Sequence, residues 1–281
     1  ISPLVKGGIK GGLTFFEFTT AMAFLHFSRE MVDFAVVEVG LGGRLDATNV
    51  LNPVLSIITE IDIEHTDYLG EDIKSIAREK GGIIKDSGTV ILSSNKTDVV
   101  EVIESICKDK KARLYRIGKD FIGERENTDI HSQHFNFIEM SLRGKAEAIS
   151  HSFEIPLLGT HQIINASTAI KAALILPSLT PPLQRGGSRG GVKIDESAIS
   201  EGLKNVQWSG RLEIFSENPL IILDGAHNLA AAKALSEELK RMRNSEFGIQ
   251  IHNIILVIGI LKDKDFKGII SFLAPIAAYI I

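Results

Sequence analysis

Three side chains in the first third of the chain have types suited to metal-assisted phosphate chemistry. Glu38 stands near the end of one apolar run, His65 lies in the polar segment after the next run, and Lys80 lies in a predicted helix beyond it. A carboxylate and an imidazole can hold a partly hydrated divalent cation, as Mg²⁺ usually is beside phosphates. Plainer interpretations stay open: an ion-pairing carboxylate, a solvated loop histidine and a solvated helix lysine.

A second group of polar residues follows another apolar run near residue 223. Asp224 and His227 flank Gly225 and Ala226. Ligands of parallel sheets gather beyond the carboxyl ends of strands, and a glycine lets the backbone approach a ligand closely. These residues suit hydrogen bonds to a ribose or a phosphate. A turn in which Asp and Asn side chains cap the local backbone fits equally well.

The elements that must position these residues alternate between strands and helices. Apolar runs predict strands buried on both faces, and Thr14–Glu17 predicts a capping box that starts a helix. Period-two alternation over 121–155 predicts an antiparallel hairpin or meander. The order indicates an α/β protein with βαβ units and a parallel sheet. Strands are predicted near 33–39, 54–59, 89–92, 112–117, 220–223 and 254–258, and helices near 14–29, 72–85, 98–108, 159–176, 196–204 and 229–242.

Residues 2–12 and 181–191 share a repeat, Pro-Leu-x-(Lys/Arg)-Gly-Gly-x-(Lys/Arg)-Gly-Gly. Neither copy has the glycine and lysine order of a phosphate-cradling loop, so we interpret both as low-complexity insertion forming a flexible linker. A break at 208–211 precedes the last predicted βαβ unit. We therefore predict a repeat segment at 1–12, a domain at 13–208 with an insertion at 180–193, and a second domain at 209–281.

The composition argues against a nucleic-acid-binding protein, a disulfide-rich protein and a membrane-spanning protein. The formal net charge of −4 over 281 residues gives no basic field for nucleic acid. Cys107 is the only cysteine, which excludes an internal disulfide framework and favours a reducing, cytoplasmic setting. No uninterrupted apolar run approaches the roughly 18 residues of a membrane span, so none is predicted. Because the sequence begins with Ile1 and ends in an apolar run, we expect it to be part of a longer protein.

Several motifs resemble one family, folylpolyglutamate synthase and dihydrofolate synthase of the Mur ligase superfamily. The most specific is Glu-Val-Gly-Leu-Gly-Gly-Arg-Leu-Asp-Ala-Thr-Asn at 38–49. The resemblance covers nearly the whole chain outside the repeats. Its other motifs are Leu13–Glu17, Glu64–Thr66, Glu79–Lys85, Gly159–Ala166, Gly210–Glu213, Leu223–Asn228 and Leu261–Asp265.

The resemblance implies roles for individual residues. Glu38 and His65 match the family's Mg²⁺ ligands, and Lys80 matches a lysine that becomes carbamylated; these three are the implied catalytic residues. Phe15, Phe16 and Asp46 match positions near the pterin. The positions that match contacts to ATP are Asn165, Arg211, Asp224 and, with a less defined role, His227.

The resemblance also implies the fold and the reaction. We expect a central ATPase domain with a mainly parallel sheet, N-terminally truncated, and the start of a Rossmann-like C-terminal glutamate ligase domain. The enzyme would be a monomer whose partners are ATP, L-glutamate and folate or dihydropteroate. ATP would convert the folate or dihydropteroate carboxylate to an acyl phosphate, which the amine of L-glutamate attacks.

Three departures from the family pattern qualify this expectation. Glu64 stands where the family has Asp, and Gly82 where it has Ala. The phosphate loop, Gly-Thr-x-Gly-Lys-Gly-Ser, is missing from the 281 residues. We therefore expect little activity from this chain alone, because positioning and charge stabilisation of the phosphoryl group would be lost. Two alternatives remain: a Mur-type ligase acting on a cell-wall precursor, and a non-catalytic remnant that keeps the fold.

Overall fold

The computed structural model describes residues 12–63, 70, 72–141, 144–179, 183–185, 188–190, 194–249, 251–262 and 264–281. The chain separates into two compact units. The first comprises Ile1–Leu114 and Ser178–Val192, and the second comprises Tyr115–Pro177 and Lys193–Ile281. Each unit is described by itself.

The first unit begins with helix α1, Phe15–Glu30. The Thr14 hydroxyl accepts a hydrogen bond from the Glu17 amide, and the Thr14 amide donates to the Glu17 carboxylate at 2.7 Å. The predicted capping box is therefore confirmed. The hydrogen bond from the Thr14 amide, and next the Thr14 side chain, hold the pKa of the Glu17 carboxyl below its usual value.

A parallel sheet flanked by helices follows. Strands β1 (Ser56–Ile58) and β2 (Thr89–Leu92) pair in parallel, with helix α2 (Ile73–Gly81) between them. Helix α3 (Thr97–Asp109) leads to β3 (Arg113–Arg116), and the sheet order is β1-β2-β3. All four residues of β2 are buried, as expected for a parallel strand covered on both faces. The prediction of a parallel βαβ unit is confirmed for β1, α2 and β2.

The core of this unit is aliphatic. Cys107 of α3 is buried in it as a free thiol, and burial raises its pKa to about 11. The thiol therefore acts as a small apolar side chain. Other core members include Ile58, Ile76, Ile84, Val90, Leu92, Val99 and Ile103.

The strand predicted at 33–39 is wrong. The structure has no strand there; Val36 is 100% exposed and Phe34 is 40% exposed. Apolar content suggested a buried strand, but a strand also needs a neighbour to pair its amides and carbonyls. None of the described strands pairs with this run, and five of its seven residues, Asp33–Val36 and Glu38, are exposed.

The second unit contains the predicted antiparallel meander. Strands β4 (Phe121–Thr128), β5 (Gln133–Ser141) and β6 (Gly144–Ile155) lie in that order, each antiparallel to the next. Helix α4, Thr160–Leu179, packs closely against β4. A Cβ on Gly123 would lie 2.2 Å from the Ser167 hydroxyl oxygen and 2.8 Å from an Ile163 methyl group. Only glycine fits there.

Helix α4 is long and apolar enough to cross a membrane by length and composition. Polar residues, Lys171 among them, interrupt its apolar sequence, and no membrane span was predicted there. Its Lys171 is 3% exposed, pairs with Glu139 of β5 and lies 4.5 Å from the centre of the Tyr115 ring. A buried, paired lysine and the contact with β4 are typical of a core helix.

The second repeat contains two short strands that belong to the first unit. Strands β7 (Leu183–Arg185) and β8 (Ser188–Gly190) pair antiparallel as a hairpin. The flexible linker predicted for this repeat stays a prediction, and within it residues 183–185 and 188–190 pair with each other as strands. The first repeat, apart from Gly12, lies outside the described residues.

The rest of the second unit carries two small sheets. Strands β9 (Glu213–Glu217) and β10 (Leu220–Leu223) are antiparallel, whereas β11 (Ile255–Leu256) and β12 (Tyr279–Ile280) are parallel. The predicted strand at 220–223 is confirmed, but its partner is β9 and not a parallel strand. A two-residue connection permits only antiparallel pairing. The helices in this part of the second unit are α5 (Glu196–Lys204), α6 (Leu229–Arg243) and α7 (Phe266–Leu273), and a 3₁₀ turn follows at Ala274–Ile276.

Candidate functional site

The first cluster of candidate residues surrounds the segment Gly40–Asn49, here called the glycine loop. Gly42 has φ +71° and Gly43 has φ +158°. A Cβ on Gly43 would lie 2.7 Å from the Glu79 carbonyl oxygen and 3.0 Å from that of Lys80. The glycines therefore let the loop backbone lie directly on the last turn of α2, which carries Lys80.

Asp46 closes the glycine loop. Its Oδ2 accepts hydrogen bonds from the amides of Gly40 at 3.1 Å and Leu41 at 3.0 Å. Its Oδ1 accepts from the Thr48 amide at 2.9 Å and hydroxyl at 2.6 Å. Both carboxylate oxygens therefore hold the loop in shape, and contact between Asp46 and a pterin stays a prediction.

Further polar residues tie the loop to the segment after α2. Arg44 donates through Nε and Nη2 to one Glu79 carboxylate oxygen, each at 3.0 Å. The Lys85 ammonium donates to the Asn49 carbonyl at 2.8 Å and side-chain oxygen at 2.9 Å. No role was predicted for Arg44, Glu79, Asn49 and Lys85. The sequence does offer a signal for these contacts, because the motifs at 38–49 and 79–85 carry side chains that can pair: Arg44 with Glu79, and Asn49 with Lys85.

An aromatic ring lies against the start of the loop. A Cβ on Gly40 would be 2.5 Å from the tip of the Phe16 ring. Phe16 is therefore brought to the glycine loop, whereas Phe15 is 84% exposed. The expected contacts of both rings with a pterin remain predictions.

The three predicted catalytic residues differ in how the structure places them. Glu38 is exposed, two residues before the loop, and Lys80 is half-buried in the last turn of α2. His65 lies outside the described residues. Over the described ranges, no group of three His, Cys, Asp or Glu side chains is arranged to hold a metal ion. The convergence of Glu38, His65 and Lys80 stays a prediction.

The second cluster lies at the base of the β9–β10 hairpin and is called the hairpin-base cluster, Gly210–Leu212 with Asp224–His227. Asp224 accepts hydrogen bonds from the amides of Leu212 and Ala226, both at 2.8 Å. The Gly225 amide donates to the Gly210 carbonyl at 2.8 Å. These bonds fold the two ends of the hairpin together.

Arg211 and His227 occupy the same cluster. A Cβ on Gly225 would be 2.5 Å from a guanidinium nitrogen of Arg211, so this exposed arginine lies against the backbone of Gly225. His227 Nδ1 lies 2.8 Å from the Gly225 carbonyl oxygen. Asn228 caps α6 by accepting from the Ala231 amide at 2.9 Å. The local capping roles left open for Asp and Asn are thus present; contact with ATP is untested.

Asn165 lies in α4, five residues after its first residue, and is exposed. Its side-chain amide donates to Gln162 at 3.2 Å. Its amide group is therefore held by its own helix.

Two residues next to these clusters were missed by the sequence analysis. Glu238 of α6 is a buried carboxylate that accepts from Thr160 and Arg125. His161 is half-buried, with no hydrogen-bond partner for Nδ1 among the described residues. Burial lowers the pKa of His161, with Arg211 and Arg125 adding to the effect while Glu238 and Asp224 oppose it. Glu238 gave no signal because it stands in an ordinary helical stretch.

Two known domain families match the chain. Residues 8–173 match the Mur ligase middle domain, and residues 210–281 match the Mur ligase glutamate ligase domain. The chain belongs to the Mur ligase family. The glycine loop lies in the Mur ligase middle domain and the hairpin-base cluster in the glutamate ligase domain. The predicted α/β fold and the family resemblance are confirmed.

Similar Mur ligases have been named and solved. Dihydrofolate synthase/folylpolyglutamate synthase of Buchnera aphidicola subsp. Schizaphis graminum is 34% identical over 268 residues, 95% of this chain and 55% of that protein. A folylpolyglutamate synthase complex with AMPPCP and folate has TM-score 0.82 and 31% identity, covering 95% of this chain and 60% of that one. Escherichia coli FolC with DHPP and ADP has TM-score 0.76 and 30% identity, covering 95% and 56%. The chain spans about half the length of the curated relatives it matches.

Proposed function

We propose that the protein joins L-glutamate to folate, dihydropteroate or both, using ATP. The observation that carries the proposal is the glycine loop lying on the turn of α2 that bears Lys80. The relative solved with AMPPCP and folate supports the choice of substrates. The reaction is activation of a carboxylate as an acyl phosphate, followed by attack of the glutamate amine.

The proposed magnesium site uses Glu38 and His65. The donor chemistry fits, since a carboxylate and an imidazole leave room for the waters that Mg²⁺ retains, and Glu38 is exposed where its oxygens can meet an ion. When bound, Mg²⁺ would neutralise charge on the transferred phosphoryl group. Lys80, as a carbamate, would add a negative group beside the loop.

The proposed nucleotide contacts come from the second unit. Arg211, Asp224, Asn165 and His227 would meet ATP. Support comes from the exposed guanidinium of Arg211 lying in one cluster with Asp224, because an arginine suits phosphate recognition. Phe15, Phe16 and Asp46 would lie near the pterin. Phe16 against Gly40 supports this proposal, since it places a ring at the glycine loop.

Other attributes of the protein are also proposed. The family matches to 8–173 and 210–281 support a domain boundary near residues 208–214, between 13–208 and 209–281. A monomeric state is proposed from the family resemblance, and a cytoplasmic location accords with the single cysteine and the bacterial metabolic relatives.

Nucleotide binding tests the ATP site. Isothermal titration of AMPPCP with Mg²⁺ into the product of the complete reading frame that contains this sequence is expected to show saturable binding. Arg211→Ala is expected to weaken that binding about tenfold, because a charge-assisted phosphate contact is lost. Arg243→Ala, an exposed arginine at the end of α6, is the matched control. Equal weakening by both variants would contradict the assignment of Arg211.

The acceptor is tested by incorporation of labelled L-glutamate into folate, dihydropteroate or a nucleotide-sugar peptide. The assay uses the product of the complete reading frame that contains this sequence. Incorporation into folate or dihydropteroate is expected. Incorporation into the nucleotide-sugar peptide alone would overturn the proposal in favour of a cell-wall ligase.

A further inference from the structure

We propose that Glu238 is a positioning residue for nucleotide binding, fixing the start of α4 to α6 and to the hairpin-base cluster. The inference rests on the proposed function, because it assigns Glu238 to the same ATP site. Glu238 itself is not assigned a contact with ATP. It acts through Thr160, His161 and Asn165.

The carboxylate of Glu238 caps α4 from another helix. Its Oε1 accepts from the Thr160 amide at 2.7 Å and hydroxyl at 2.6 Å. The first amides of a helix have no partner within the helix, and a negative charge is favoured there. The preceding residue is Gly159, with φ +108° and no side chain to supply a cap. Glu238 takes that role across the unit.

Arg125 of β4 completes the connection. Its guanidinium nitrogens lie 3.1 and 3.3 Å from the two carboxylate oxygens of Glu238, and one also donates to the Thr160 hydroxyl at 2.9 Å. The side chains of Arg125 and Glu238 are 12% and 3% exposed. Removing one charge would leave the other buried without its partner. The sheet, α4 and α6 therefore meet at one buried ion pair.

The pair lies next to the proposed ATP residues. Leu158 and Leu212 belong to the same core, and Leu212 directly follows Arg211. The amide of Leu212 also donates to Asp224. The turn before α4 therefore packs on the hairpin-base cluster. His161 lies where the charges of Glu238, Asp224, Arg211 and Arg125 all act on its ring.

The start of α4 also leads to Asn165. The Gln162 amide donates to the Gly159 carbonyl, and Gln162 accepts from the Asn165 side chain. Gln133 of β5, fully buried, donates to the same Gly159 carbonyl at 2.9 Å. Anchoring the first turn thus fixes Asn165 relative to Arg211 and Asp224. Displacing a binding group slightly weakens ligand binding even when the group remains present.

The test compares Glu238→Gln with Glu237→Gln, an exposed neighbour on α6, in the product of the complete reading frame. Glu238→Gln keeps an acceptor for Thr160 but removes the charge that pairs with Arg125. It is expected to raise the KM for ATP about tenfold with kcat nearly unchanged. Glu237→Gln is expected to change neither. Loss of kcat alone, at an unchanged KM for ATP, would indicate only fewer folded molecules and would overturn the inference.

A milder pair of variants covers the case in which Glu238→Gln does not fold. Thr160→Val removes the hydroxyl that bonds to Glu238 and Arg125 but keeps the amide, whereas Thr160→Ser keeps both. Titration of AMPPCP with Mg²⁺ is expected to show weaker binding for Val and near-normal binding for Ser. If Thr160→Val, Thr160→Ser and the unchanged protein bind AMPPCP equally well, the inference about Glu238 is overturned while the proposed ATP site stands. Absence of binding to the unchanged protein would overturn the proposed ATP site, and the inference with it.

Discussion

The pKa of His161 depends on the residues around it. This residue sits beside buried Glu238 and the hairpin-base cluster, and burial keeps the pKa of its imidazole below its usual value of 6.5. In the unfolded chain the imidazole is no longer buried, and its pKa returns to the usual value. The unfolded state therefore binds a proton at a higher pH than the folded state does.

A loss of stability on acidification follows from this difference. Because the folded pKa is lowered, the free energy of unfolding falls as the pH drops from the unfolded pKa, about 6.5, toward the folded one. His161→Gln is expected to flatten this part of the pH profile, measured by urea denaturation at about pH 7.5 and 5.5. His252→Gln, at an exposed histidine, is the control. A profile for His161→Gln as steep as that of the unchanged protein would contradict the assignment.

At the scale of elements, the glycine loop and α2 form a contact made by backbone atoms. The loop fits because Gly43 has no side chain where the carbonyls of Glu79 and Lys80 approach. Helix α5 offers the opposite case. Gly202 has nothing within 4 Å of a Cβ built on it.

These two glycines predict opposite effects of alanine. Gly43→Ala is expected to lower the free energy of unfolding by about 1–3 kcal/mol, because the added methyl group overpacks a backbone contact. Gly202→Ala is expected to raise it by about 0.5–1 kcal/mol, because a helical glycine has more freedom to lose on folding. Urea denaturation of both variants measures the difference. A stabilising Gly43→Ala would show that the loop does not lie on α2.

Most elements could be predicted from sequence because their signals are local. The capping residues of α1, the buried run of β2 and the alternation of β4–β6 each suffice to predict an element. The run at 33–39 was mispredicted because pairing depends on residues elsewhere. Glu238 and Arg125 were missed for the same reason: they are 113 positions apart, and only folding brings them together.

At the scale of the whole molecule, the first unit exposes several large apolar side chains close together in sequence. These side chains belong to α1 and to the segment directly after it. Exposed apolar patches of this kind bind hydrophobic dyes and promote association. The exposed side chains include Phe15, Phe18, Met22, Leu25, Met31 and Val36.

A charged substitution at Val36 is expected to reduce dye binding and association without lowering the free energy of unfolding. Val36 is 100% exposed, so Val36→Asp is expected to change the free energy of unfolding by less than about 0.5 kcal/mol. Fluorescence of bound anilinonaphthalene sulfonate and light scattering should both decrease. Val90→Asp, in the buried strand β2, is the contrasting variant and is expected to unfold the first unit. Strong destabilisation by Val36→Asp would show that Val36 is covered.

The close contact at Gly123 limits how α4 can move. Sliding the helix by one turn, about 5.4 Å, would replace Ser167 opposite Gly123 with Ile163 or Lys171. Either side chain is too large for the space, and the slide would also separate Lys171 from Glu139. The packing at Gly123 and the Lys171–Glu139 pair therefore fix the position of α4 along its axis relative to the meander. Any rearrangement that repositions Asn165 must carry the meander with it as one body.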